Sequence, residues 1–92
     1  MIAIAIARFR VPINEQADFA VKSEIAIAAL AECEGFLSGD LGTNTDEPDL
    51  MVVVTRWRDI GSYRRALGKN PVKMSAIPLL ALAIDEPGAY IE

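Results

Sequence analysis

The first ten residues, MIAIAIARFR (residues 1–10), contain the pattern that decides the fold. Side chains of a β-strand point alternately to its two faces, so the isoleucines share one face and the alanines share the other with Phe9. Both faces are therefore apolar, whereas a half-exposed strand alternates apolar with polar residues. Pro12 ends the strand, because proline has no N–H to donate to a neighbouring strand. This stretch predicts a strand that is covered on both faces.

A second strand of the same kind is LMVVVTRWR (residues 50–58). Its β-branched centre favours extended structure and is apolar on both faces. Asp59 follows as a candidate N-cap, because its carboxylate can accept a hydrogen bond from the first turn of a helix. Tyr63 and Leu67 are four residues apart, so they share one side of the helix that we predict to begin at Ile60.

The rest of the chain supplies the other helices and strands. Asn14 is the predicted N-cap of a first helix that ends before Gly35, a residue suited to the left-handed conformation. Pro78 lies inside a later helical stretch and predicts a kink or a restart there. The predicted segments are a helix over residues 14–34, a strand over 36–43, a helical stretch over 72–84 and a short strand over 89–92.

This order of elements is β-α-β-β-α-β, which is the ferredoxin-like α+β arrangement. It predicts a four-stranded antiparallel sheet with both helices on one face, in a single domain over residues 1–92. The helices cover one face of the sheet only, although the first and third strands are apolar on both. We therefore predict a homodimer in which a second copy packs sheet against sheet. A monomer with an exposed apolar sheet face is the alternative.

Composition excludes several classes of function. The chain has no histidine, so it provides no histidine ligand, no histidine base and no Ser-His-Asp triad. Cys33 is the only cysteine, which excludes an internal disulfide and fits a reducing compartment. The net charge is −4, whereas nucleic-acid binding needs a basic face. No apolar run reaches the ~18 residues of a membrane span. We expect a soluble cytoplasmic protein without a metal, a cofactor, nucleic acid or a membrane as partner.

Three short motifs give the chain a family resemblance. They are the turn Glu34-Gly35-Phe36, the strand end Val54-Thr55-Arg56-Trp57, and Tyr63, six residues after the tryptophan. Together with the element order, they resemble the antibiotic biosynthesis monooxygenase family of the dimeric α/β-barrel superfamily. The resemblance covers nearly the whole chain and implies that two sheets pair into a dimeric α/β barrel.

The same resemblance implies a range of activities. The family includes cofactor-independent oxygenases that act on polycyclic phenols, and enzymes that degrade haem. The absence of histidine excludes the haem-degrading branch, which needs a histidine ligand to iron. The oxygenase branch often has an asparagine on the third strand before the tryptophan, and residues 52–55 contain none.

Four residues around the end of the third strand are the candidate site. Trp57 and Tyr63 are the candidate catalytic residues, and they bind substrate together with Arg56 and Arg58. Trp57 would pack on a flat aromatic ligand, although a core role alone also explains it. Tyr63 would donate a hydrogen bond to a phenolate or a peroxide-like oxygen, or would lie in water on the helix surface. The arginines would attract an anionic oxygen, or would form ordinary surface ion pairs.

Two functions therefore stay open. The first is a cofactor-independent monooxygenase that acts on an aromatic or quinone-like small molecule. The second is a non-catalytic dimeric module that binds a small ligand or has a structural role. An open cavity on which the aromatic residues and an arginine converge would favour the enzyme, whereas a filled core would favour the module.

Overall fold

The two strands that are apolar on both faces lie side by side at the centre of one antiparallel sheet. The computed structural model describes residues 1–92 and contains four strands in the order β2-β3-β1-β4. This is the predicted ferredoxin-like α+β fold. The strands are β1 (Ala3–Arg10), β2 (Phe36–Thr43), β3 (Leu50–Trp57) and β4 (Ala89–Ile91).

The α-helices pack on one face of this sheet and enclose the core with it. The longest helix buries one stripe, in which Phe19, Ser23, Ala26 and Leu30 recur at helical spacing. None of the helices is both long and apolar enough to cross a lipid bilayer. The helices are α1 (Gln16–Ala31), α2 (Ile60–Ala66), α3 (Asn70–Ser75) and α4 (Ile77–Leu80).

The pairing of β1 with β3 decides which side chains face the helices. Ala3 is opposite Trp57, and Ala5 is opposite Thr55. Paired residues of an antiparallel sheet project from the same face, so the alanines of β1 lie on the helix face with Phe9, Thr55 and Trp57. The isoleucines of β1 lie on the opposite face with Val52, Val54 and Arg56. No other element of the chain covers this second face, which we call the open sheet face.

Two details of the first helix differ from the prediction. Asn14 is not its N-cap, because Ile13–Glu15 forms a short 3-10 turn in which the N–H of Glu15 donates to the carbonyl of Pro12 at 2.8 Å. The α-helix begins after this turn at Gln16, without a side-chain cap. It also ends at Ala31, before the predicted end at residue 34. Gly35 does adopt the expected left-handed conformation, with φ of +90°.

The second helical region is more broken than predicted. Residues 72–84 were expected to form one stretch with an interruption at Pro78. The structure has the restart at Ile77, where α4 begins directly after α3 with Pro78 in its first turn. Proline is tolerated in the first turn because its missing N–H has no partner there. However, α4 ends at Leu80, so residues 81–84 are not helical.

Candidate functional site

The corner between β3 and α2 is fixed by local hydrogen bonds. The carboxylate of Asp59 accepts a hydrogen bond from the backbone N–H of Ser62 at 2.7 Å, which confirms the predicted N-cap. This hydrogen bond is the main reason why the pKa of Asp59 lies below its ordinary value. The capped helix carries Tyr63 one residue later, so the corner determines where the Tyr63 ring lies.

Trp57 is the centre of an aromatic cluster rather than part of a cavity wall. Its side chain is completely buried, with 0% of its surface exposed. The Phe36 ring meets the Trp57 ring edge to face, with the centroids 5.2 Å apart, and the Tyr63 ring is 5.6 Å away on a tilt. The indole Nε1–H donates to Oγ1 of Thr55 at 2.9 Å. Trp57 therefore cannot touch a ligand directly in this conformation.

A cleft of about 240 Å³ lies beside this cluster, between the helix face of the sheet and the helices. We call it the Thr55 cleft. The alanines of β1 leave this space, because their side chains are too short to reach the helices. Thr55 and Tyr63 are the only polar side chains among the residues that line it. The lining consists of Ala5, Ile6, Ala7, Leu30, Val53, Thr55, Tyr63, Leu80, Gly88 and Ala89.

The segment between α4 and β4 lies at the edge of the Thr55 cleft, which its residue Gly88 lines. Its backbone is held to β1 by the hydrogen bonds from Ile84 N–H to the Arg8 carbonyl at 2.8 Å and from Ile6 N–H to the Gly88 carbonyl at 2.6 Å. The Arg8 guanidinium donates two hydrogen bonds to the Glu86 carboxylate, both at 2.7 Å. These hydrogen bonds are the main cause of the lowered pKa of Glu86. This segment is thus anchored to β1 at several points.

The Tyr63 hydroxyl has no hydrogen-bond partner within the protein. The ring lines the Thr55 cleft and also a neighbouring depression that continues toward residues 81–86. Burial raises the pKa of Tyr63 above the ordinary tyrosine value, because a phenolate would be poorly solvated there. Tyr63 is therefore protonated at neutral pH, and it presents a hydrogen-bond donor rather than a base.

The arginines do not join Tyr63 in the Thr55 cleft. Arg56 is on the open sheet face, opposite Ile4 and Ser38 of the neighbouring strands, and forms no ion pair. Arg58 donates to the carboxylates of Glu34 at 3.2 Å and Asp59 at 3.4 Å. The hydrogen bond to Glu34 contributes most to the raised pKa of Arg58. The convergence of the aromatic residues and an arginine on one cavity, which would favour the enzyme, is therefore absent. Strand alternation directs Arg56 and Thr55 to opposite faces.

Thr55 is the lining residue that the sequence interpretation missed. The signal was present, because Thr55 and Trp57 are two residues apart and must share a face.

No group of three or more histidine, cysteine or acidic side chains is placed to hold a metal ion.

The family assignment rests on residues 2–73, which match the family model described as antibiotic biosynthesis monooxygenase. The chain belongs to the antibiotic biosynthesis monooxygenase family. A search of curated proteins finds no significant match to the sequence.

Solved structures with this fold include other members of the antibiotic biosynthesis monooxygenase family. A mutant of SnoaB, a cofactor-independent oxygenase from Streptomyces nogalater, is 26% identical with a TM-score of 0.83, over 99% of this chain and 92% of that one. A conserved protein from Methanosarcina mazei Go1 is 18% identical with a TM-score of 0.80, over 98% and 91% of the two chains. A putative antibiotic biosynthesis monooxygenase from Chloroflexus aurantiacus J-10-fl is 15% identical with a TM-score of 0.75, over 100% and 93%.

Proposed function

We propose that the protein is a cofactor-independent monooxygenase that acts on an aromatic or quinone-like small molecule in the Thr55 cleft. The observation that carries this proposal is a cleft lined mainly by apolar residues together with Tyr63, whose hydroxyl has no hydrogen-bond partner in the protein. Typical ligand pockets measure ~300–1,000 Å³. A cleft of about 240 Å³ therefore suits a compact ring system, with the neighbouring depression as room for a substituent.

The chemistry follows from what the cleft contains. Without a cofactor, the electrons that reduce O2 must come from the substrate itself, as its phenolate or carbanion. The protein then contributes position, exclusion of water and hydrogen bonds to the oxygen on which charge develops. Protonated Tyr63 is suited to the last role, since its raised pKa keeps the hydroxyl proton in place.

The alternative is a non-catalytic module that binds a small apolar ligand. One observation favours it: no charged side chain lines the Thr55 cleft, so no carboxylate is present there to remove a proton from the substrate. In the enzyme, the substrate would therefore have to be acidic enough to lose its proton to solvent.

The experiment that separates the two functions is oxygen uptake with a panel of polycyclic phenols and quinols, with binding followed by Trp57 fluorescence. We expect consumption of O2 together with formation of a quinone. Removal of a hydrogen-bond donor to a developing oxyanion slows an enzyme on the order of a hundredfold, so Tyr63→Phe should lose turnover by a similar factor. Tyr90→Phe is the matched control, because Tyr90 is exposed and outside the cleft. Binding without oxygen uptake by any compound would leave only the module.

We also propose that the open sheet face is the contact between two copies of the chain. Ile4, Ile6, Val52 and Val54 are only partly buried there, although they are apolar. A contiguous apolar sheet face of this kind usually marks an interface. Cys33 is a free thiol, which supports the reducing cytoplasm as the compartment of this dimer.

Light scattering tests the dimer. The wild type should have a mass of about 20 kDa, twice the 10.0 kDa of one chain. Val54→Lys places a charge in the proposed contact and should give the monomer. Ile25→Lys is the control, because Ile25 is exposed on α1, away from the open sheet face, and this variant should keep the dimer mass. A wild-type monomer at micromolar concentration would refute the proposal.

A further inference from the structure

Thr55 lies on the floor of the Thr55 cleft between two small residues. It is opposite Ala5 on β1 and opposite Gly39 on β2. The residue is 3% exposed, so its hydroxyl has lost nearly all contact with bulk water. On the β2 side the space is filled, because a side chain at Gly39 would collide with Ile27 at 2.8 Å. On the β1 side the short Ala5 side chain leaves the cleft open.

The Thr55 hydroxyl has a hydrogen-bond donor as a partner but no acceptor. Its Oγ1 accepts the indole N–H of Trp57 at 2.9 Å. A threonine hydroxyl also carries one proton to donate, and this proton has no acceptor in the protein. The bond from Trp57 occupies one side of the oxygen, so the proton is left to serve a group that enters the cleft.

We infer that Thr55 is a ligand-binding residue that donates a hydrogen bond to an oxygen atom of the ligand. Tyr63 is the second hydroxyl group among the lining residues, and it also has a proton to donate. A ligand that pairs with these protons carries an acceptor oxygen, a carbonyl or a phenolate, on an otherwise apolar ring system. Trp57 is a positioning residue, because it fixes the Thr55 hydroxyl without touching the ligand. The inference rests on the proposed use of the cleft as the ligand site, but it does not require turnover.

The test compares two bicyclic probes that differ by one carbonyl, α-tetralone and tetralin. Neither needs O2 to bind, so the result is separate from the oxygenase assay. In 15N-labelled protein the single tryptophan gives one indole N–H resonance. We expect α-tetralone to move this resonance downfield, because a hydroxyl that donates becomes a better acceptor. Tetralin should bind without this shift.

Thr55→Val replaces the hydroxyl with a methyl group of similar size. A single hydrogen bond contributes about 0.5–1.5 kcal/mol net, so the variant should bind α-tetralone roughly two- to tenfold more weakly. Its affinity for tetralin should stay unchanged. Thr55→Ser keeps the hydroxyl and should restore both the affinity and the indole shift. Dispersed amide resonances of each variant show that it is folded.

Three results would overturn the role of Thr55. The first is that the folded Thr55→Val variant binds α-tetralone as tightly as the wild type does. The second is that tetralin shifts the indole resonance as much as α-tetralone does. The third is that neither probe binds. If the predicted discrimination appears but no phenol or quinol drives oxygen uptake, then the monooxygenase proposal fails while the role of Thr55 stands.

Discussion

Filling the Thr55 cleft with a side chain from β1 tests whether the alanines there exist to leave space. Ala5 lines the cleft directly beside Thr55, whereas Ala3 lies two residues earlier on the same face, opposite Trp57. The two positions have the same backbone structure and the same residue. We expect Ala5→Leu to be tolerated and Ala3→Leu to be destabilising, since only the first new side chain has room.

The size of the effect follows from the carbon atoms that are added. Leucine has three more carbons than alanine, and burial of each methylene contributes about 0.8 kcal/mol, or about 2.4 kcal/mol together. Ordering the leucine side chain costs about 0.5–1 kcal/mol. The Ala5→Leu variant should therefore gain about 1.5 kcal/mol in its free energy of unfolding, using the values above for burial and ordering. For a domain of this size, that gain raises Tm by about 6–12 °C.

Thermal and urea unfolding measure both variants against the wild type, and α-tetralone binding measures access to the cleft. Ala3 is 1% exposed in a closed part of the core, so Ala3→Leu should lose about 1–3 kcal/mol through overpacking. Ala5→Leu should abolish α-tetralone binding, because its side chain occupies the ligand volume. Equal destabilisation of both variants would show that the cleft is not usable space. Full binding by a stable Ala5→Leu variant would show that the ligand lies elsewhere.

Three other substitutions test single interactions. Ser23 has the one buried hydroxyl without any hydrogen-bond partner, so Ser23→Ala should raise Tm by about 4–8 °C in calorimetry, for a gain of about 1 kcal/mol. Gly35 has φ of +90°, and a Cβ atom at this position would collide with Ser62. Gly35→Ala should therefore lower the free energy of unfolding by more than about 1 kcal/mol, measured by urea unfolding; an unchanged urea midpoint would contradict this. The pKa of Glu86 is lowered by Arg8, so its ion pair stabilises the protein above the ordinary glutamate pKa and is lost as pH falls through the folded-state value. Glu86→Gln should therefore unfold more easily than the wild type at neutral pH and match it in acid; a constant difference across pH would exclude the ion pair as the cause.

The sheet could be predicted from the sequence because its signals are local. Alternation along residues 2–9 and 50–57 indicates strands, and their two apolar faces place both at the centre of the sheet. The N-cap of α2 could also be predicted from local sequence, because Asp59 accepts its hydrogen bond from the nearby residue Ser62. The start of α1 was not predictable in this way. The 3-10 turn over Ile13–Glu15 competes with an N-cap at Asn14, and the backbone bond between Glu15 and Pro12 decides the outcome.

Of the four residues predicted for the site, only Tyr63 lines the Thr55 cleft. Trp57 is instead buried, and it packs against Phe36, its register partner on the adjacent strand β2, which is far from it in sequence. Contacts between distant segments leave no periodic signal in the sequence. The separation of Arg56 from Thr55 was different, because strand alternation alone requires it.

The alternation of isoleucine and alanine along β1 places large side chains on one face of the strand and small side chains on the other. Alanines on the helix face are too short to fill the space below α1 and α4, and the Thr55 cleft results. Isoleucines on the open sheet face are large and stiff at χ1, which suits them to pack against a second apolar sheet. Exchange of the two residue types would fill the Thr55 cleft with isoleucine side chains and leave only short alanine side chains on the open sheet face. The high apolar content of the chain is therefore not one large core: part of it lines the Thr55 cleft, which we propose as the ligand site, and part of it lies on the open sheet face, which we propose as the dimer contact.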